Sequence, residues 1–169
     1  ASNDSTAPTL LAFDADTGAR RWGKRGMAPV AAGDLVVVWP AIVDMTGMVA
    51  FEARSGDWRW RLPFEGGADV LSWSSDPGGV AVAAGETLYT IVVPAEWFLG
   101  ASTPIAGPLD PAAALPSMTL VAVDAASGDI VWQAPLETTD GSASMPAVGD
   151  GFLVVTTWSG EVVAYRQQE

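Results

Sequence analysis

The sequence predicts an all-β chain built from a repeated four-stranded unit. Three observations carry this reading. The pattern A-x-[DE]-A-x-[ST]-G-x-x-x-W occurs three times without a gap, as Ala12 to Trp22, Ala50 to Trp60 and Ala122 to Trp132. Short Gly/Asp turns recur between β-branched segments at Val30-Ala-Ala-Gly-Asp-Leu-Val, Val82-Ala-Ala-Gly-Glu-Thr-Leu and Val148-Gly-Asp-Gly-Phe-Leu. No segment sustains a helical apolar period over ten residues.

The elements follow in order. Each Gly/Asp segment reads as a short strand A, a tight turn and a β-branched strand B. Strand C runs into the [DE]-A-x-[ST]-G turn, where an acidic side chain bonds nearby amides and Gly accepts positive φ. Strand D follows as Arg20–Gly23, Asp57–Arg61 and Asp129–Gln133. The count is C–D, then A–B–C–D twice, then A–B–C, thirteen strands in all, with a fourth motif copy beginning at Ala164-Tyr165-Arg166. Residues 1–8 read as a polar linker and 9–169 as the repeat array, in units 9–26, 27–64, 65–136 and 137–169.

Composition narrows the function. The chain has 169 residues, 49% hydrophobic and 17% charged, which suits one domain at roughly 100–200 residues per domain. Cys and His are absent. Disulfides, Cys/His zinc sites, Cys nucleophiles, Ser-His-Asp triads and histidine switches are thereby excluded. Eight basic against 20 acidic residues give a net charge of −12, so nucleic acid and anionic membrane are not expected as partners. The longest apolar run, Leu35 to Val43, is broken by Pro40 and falls short of the roughly 18 residues a membrane span needs. The opening ASNDSTAPT has neither a charged n-region nor an apolar h-region, so no signal peptide is expected in it.

The repeated motif resembles the tryptophan-docking repeat of the pyrroloquinoline-quinone-like (PQQ-like) β-propellers, over essentially residues 9–169. The resemblance implies a partial propeller of about three to four four-stranded antiparallel blades, fewer than the four to eight of a closed ring. It implies that each motif Trp stacks on the first Ala of the next copy: Trp22 on Ala50, Trp60 on Ala122 and Trp132 on Ala164. Gly18, Gly56 and Gly128 would shape the turns. Three outcomes fit an open arc: a fragment of a longer propeller, a homo-oligomer whose arcs close a ring, or an arc completed by a partner.

The resemblance also raises quinone chemistry. Family enzymes use a vicinal Cys pair, a Ca²⁺ held by Glu and Asn, an Asp base, and cationic residues around the quinone. This chain has no Cys, no His, one Lys (Lys24) and one Asn (Asn3). No catalytic, cofactor-binding or metal-binding residue is therefore assigned, and no cofactor is expected. Asp14-Ala-Asp16-Thr-Gly18 is similar to the start of a calcium loop, but Gly18 stands at the third ligand position and Arg25 at the twelfth, so it reads as a turn.

The strongest local signal lies between strands B and C. That connection is Pro40–Gly47 in the second unit and Ser159-Gly160 in the last, but Pro94 to Met118 in the third, 25 residues (94–118) with five Pro and the pair Trp97-Phe98. Loops beyond about 12–15 residues are commonly functional. Trp39 and Trp158 end their B strands on the same side, so Trp39, Trp97, Phe98 and Trp158 are expected to border a protein-docking surface. The competing reading packs them under their own loops or on the inter-blade core. Trp58, two residues before Trp60, is expected to pack on the same face of one strand. The expected function is a non-enzymatic protein-binding or scaffold module. By resemblance it would be extracytoplasmic, with a protein partner or self-association completing the ring. The alternatives are part of a PQQ-dependent dehydrogenase and the sensor ectodomain of a bacterial receptor kinase.

Overall fold

The computed structural model describes residues 10–40, 47–64, 69–70, 81–93, 118–136, 143–144, 146–157 and 159–166. Among the described residues fourteen strands form four antiparallel sheets, and there is no helix. The first sheet pairs β1 (Leu10–Phe13) with β2 (Arg20–Lys24). The second is a meander of β3 (Met27–Ala32), β4 (Leu35–Trp39), β5 (Met48–Glu52) and β6 (Trp58–Leu62). The third comprises β7 (Asp69–Val70), β8 (Val82–Ala84), β9 (Thr87–Val93), β10 (Met118–Asp124) and β11 (Ile130–Leu136). The last is β12 (Ala147–Gly149), β13 (Phe152–Thr156) and β14 (Val162–Arg166).

The fourteenth strand arises at the inner edge of the third sheet. There β7 pairs with Val92 and Val93 while β8 pairs with Thr87 to Tyr89, so two short pieces share one edge of β9. Strand β10 opens at Met118, which is buried, and residues 94–117 of the insertion lie outside the described residues.

Period-2 alternation explains how the sheets stack. In β4, Leu35 and Val37 join Met48 and Ala50 of β5 against Leu88, Val92, Val121 and Val123 of the third sheet. The intervening Val36, Val38, Val49 and Phe51 face Leu10 and Trp22 of the first sheet. The third sheet turns Ile91, Val93, Met118, Leu120 and Leu136 toward Leu153 and Val155 of the last. The middle sheets are thus apolar on both faces, each filled by a neighbour, and inner strand β8 lies against both β3 and β12. Each buried Val, Leu or Met contributes about 1.5–3 kcal/mol relative to exposure. Blade faces, more than surface ion pairs, hold the array together.

A β-bulge recurs in every C–D pair. Ala12 stands opposite Trp22, Ala50 opposite Trp60 and Ala122 opposite Trp132; one step on, Phe13 faces Arg20, Phe51 faces Trp58 and Val123 faces Ile130. Arg21, Arg59 and Val131 are the extra residues. An extra residue shifts the alternation, so Trp58 does not share the face of Trp60. The expectation that both pack is corrected: Trp60 is 7% exposed and Trp58 63%.

Candidate functional site

The C–D turns are built alike. The Gly amide donates to the carbonyl of the acidic residue four positions back, at 2.8 Å for Gly18, Gly56 and Gly128. The acidic residue's own amide donates to the residue after the Gly, as Asp14 to Ala19, Glu52 to Asp57 and Asp124 to Asp129. The carboxylates hold the turns from outside. Asp14 accepts from the Thr17 amide (2.9 Å), the Thr17 hydroxyl (2.8 Å) and the Arg21 guanidinium. These bonds, that of Arg21 first, keep its pKa well below the ordinary carboxylate range. Asp124 accepts from the amides of Ser127 (2.8 Å) and Ala126 (3.0 Å), and its pKa is also lowered, mainly by Ser127. Glu52 pairs with Arg59 at 2.9 Å.

These turns receive tryptophans from the preceding sheet. Trp22 Nε1 donates to the Ala53 carbonyl at 3.0 Å, and Trp60 Nε1 to the Ala125 carbonyl at 2.9 Å. The amides of the same two alanines donate to Asp34 and Glu86 in the A–B turns of their own sheets. One residue thus ties an inner hairpin, an outer turn and the neighbouring blade together. The indoles also lie over the turn glycines: a Cβ on Gly56 would come within 2.7 Å of Trp22, and one on Gly128 within 2.6 Å of Trp60. The recorded tryptophan contacts therefore fall on the motif's fourth residue and its Gly. Ala50 and Ala122 are fully buried opposite Trp60 and Trp132 of their own sheets. The invariance of the fourth motif residue, Ala in all three copies, was the available signal for Ala53 and Ala125.

The ends of the array differ from its middle. Among the described residues nothing lies within 4 Å of a Cβ built on Gly18, and none places an indole on the turn at Asp14. Trp132 is 37% exposed; its ring lies 6.1 Å from that of Tyr89, and Ala164 is exposed on β14. The outward face of the last sheet presents Phe152 and Val162, and that of the first presents Leu11 and Phe13.

Of the four residues of the expected docking surface, Trp97, Phe98 and Trp158 lie outside the described residues. Trp39 closes β4 opposite Met27 and packs against the core between the second and third sheets. Its Nε1 is buried without a hydrogen-bond partner among the described residues. A buried N–H without an acceptor is uncommon enough to need a reason.

Among the described residues no arrangement fits pyrroloquinoline quinone with its Ca²⁺. The acids of the repeated turns are engaged by their own amides, hydroxyls and arginines, and no three acidic groups converge among the described residues. No helix among the described residues is long and apolar enough to cross a membrane.

Comparison with known proteins completes the description. Residues 116–169 match the family model for outer membrane protein assembly factor BamB. No curated protein is significantly similar in sequence. Among solved structures, BamB from Moraxella catarrhalis is similar over 92% of this chain and 51% of that one, with 14% identity and a TM-score of 0.38. The chain thus spans about half the length of that protein. The segment 116–169 carries the third motif copy and the start of the fourth, and its repeat is of the PQQ-like β-propeller type.

Proposed function

We propose that this chain is a non-enzymatic, protein-binding scaffold module of the PQQ-like propeller type, working outside the cytoplasm and completed by another chain or a further segment. One observation carries the reading. Trp22 and Trp60 each lie on a turn of the next sheet, whereas Trp132 stays part-exposed and no indole among the described residues lies on the Gly18 turn. Repeat arrays need their terminal faces capped, and a partner supplying a turn and outer strand beside β14 would do so. The match of residues 116–169 to an outer membrane assembly factor supports both a protein partner and an extracytoplasmic place. A partner surface around Trp39, Trp97, Phe98 and Trp158 belongs to the same reading and rests on Trp39 closing β4, with its buried Nε1 facing the core rather than a partner.

Light scattering over a concentration series, alongside binding of an apolar dye, tests the open ends. Association that rises with concentration and removes dye binding is the expected result. A monomer that binds no dye overturns the reading, because its terminal faces would then be covered locally. Dye-linked alcohol oxidation on adding the quinone and Ca²⁺ would overturn the non-enzymatic part.

A further inference from the structure

Charge is unevenly distributed along this chain. Residues 20–61 hold seven of its eight basic side chains and only four of its twenty acidic ones. Those seven belong to the outer strands of the first two blades and their flanks: Arg20, Arg21, Lys24 and Arg25 at β2, and Arg54, Arg59 and Arg61 at β6. The sheets that carry them pack on each other along one seam. Lys24 Nζ lies 5.5 Å from the Phe51 ring centroid, and Phe51 is the cross-strand partner of Trp58. Trp22 reaches the Ala53 carbonyl, next in sequence to the exposed Arg54. Trp58 stands on this seam 63% exposed. Arg21 and Arg59 are occupied by Asp14 and Glu52. Arg20, Arg25 and Arg54 are exposed beside them.

We propose that this seam, between the outer strands of the first two blades, is a docking site for an extended acidic peptide segment of a partner protein. Strand β6 is the last strand of its sheet, so its outer edge can accept an added strand. Main-chain bonds along that edge would set the register, Arg20, Arg54 and Lys24 would meet the carboxylates, and Trp58 would cover an apolar residue between them. The rest of the chain argues for a short peptide over an extended anionic surface. Outside residues 20–61 stand sixteen acidic side chains and one basic, Arg166, and this excess would repel an anionic lipid bilayer or nucleic acid. The proposal does not rest on the surface around Trp39, and each can fail without the other.

The test titrates the whole chain with a fluorescein-labelled decapeptide of alternating Glu and Val, followed by anisotropy, with a Lys–Val decapeptide as control. Saturable binding of the Glu–Val peptide alone is expected, weakening on the order of tenfold or more as screening grows between 0.05 and 0.5 M salt. Trp58→Ala and Arg54→Glu should each abolish it. Both positions are exposed, and an unchanged thermal midpoint would confirm that the variants fold. Ile130→Ala, at the matching place in the third sheet, should leave binding intact. Equal binding of both peptides, no binding at low salt, or binding indifferent to Trp58 and Arg54 would overturn the proposal. So would retention on phosphatidylglycerol vesicles, or self-association lost with Arg54→Glu, without peptide binding.

Discussion

Trp60 and Ala125, 65 residues apart in sequence, are joined by a 2.9 Å hydrogen bond from the indole Nε1 to the carbonyl oxygen. Both are buried, so the bond cannot be exchanged for one to water without moving the blades. Trp60→Phe keeps most of the ring but leaves the Ala125 carbonyl without its donor, an expected loss of about 1–3 kcal/mol. Trp60→Ala should cost about 3–5 kcal/mol through the cavity as well. Trp132→Ala should cost clearly less, because that side chain is already 37% exposed. Urea midpoints at unchanged slope would measure all three. Equal losses for Trp60→Ala and Trp132→Ala would show that docking on the next turn adds nothing.

Three glycines separate backbone strain from packing. Gly18, Gly56 and Gly128 share φ values of +69°, +74° and +79°, so an alanine at each carries a similar strain of about 1–2 kcal/mol. Only Gly56 and Gly128 lie under an indole. Gly128→Ala should therefore destabilise by about 1–3 kcal/mol more than Gly18→Ala, the usual range for overpacking. Thermal melts of the two variants decide the point, and matching shifts would mean that the Trp60 ring gives way freely.

Much of this architecture is legible in the sequence, for a physical reason. A repeated unit must present the same small, acidic and aromatic residues at each interface, so Ala, Gly and Trp recur in register and the alternating β-branched runs expose both apolar faces of a blade. The bulge is not legible. Arg59 reads as an ordinary strand residue until its partner strand shows Ala50 opposite Trp60 and Phe51 opposite Trp58. That one-residue slip turns Trp58 outward and brings Arg21 and Arg59 back to Asp14 and Glu52. For Trp22 and Trp60 the docking contact is legible only to the level of which motif copy receives the indole. Its acceptor is a main-chain carbonyl, which no side chain advertises. Trp39 was readable as a strand-end aromatic, but its unpaired Nε1 depends on packing from a distant sheet.

The Asp14 carboxylate makes stability depend on pH in a stated direction. Its folded pKa is held below the ordinary 3.8 by Arg21 and Thr17. A depressed carboxylate stabilises the fold above its unfolded pKa, and that contribution is lost as pH falls through and below about 4. Asp14→Asn should thus lower the thermal midpoint at pH 7, and the difference from the parent chain should shrink steadily below pH 4. A difference independent of pH would assign the effect to turn geometry rather than charge.

The third copy of the motif lacks the arginine that the other two place at the bulge, and the departure can be reversed. Arg21 and Arg59, each seven residues after its acid, occupy the bulge and reach Asp14 and Glu52. The matching residue after Asp124 is Val131, an apolar side chain left 60% exposed on the outer strand β11. Asp124 already accepts from Ala126 and Ser127, which leaves its second oxygen available to a guanidinium in the Arg21 geometry. Val131→Arg should raise the unfolding midpoint at low ionic strength and lose most of that gain near ~1 M salt, where charges are screened over a few ångströms. Val131→Gln, of similar length without the charge, should give little or no gain. A salt-independent gain shared by both variants would instead show that removing an exposed valine from an edge strand is what matters.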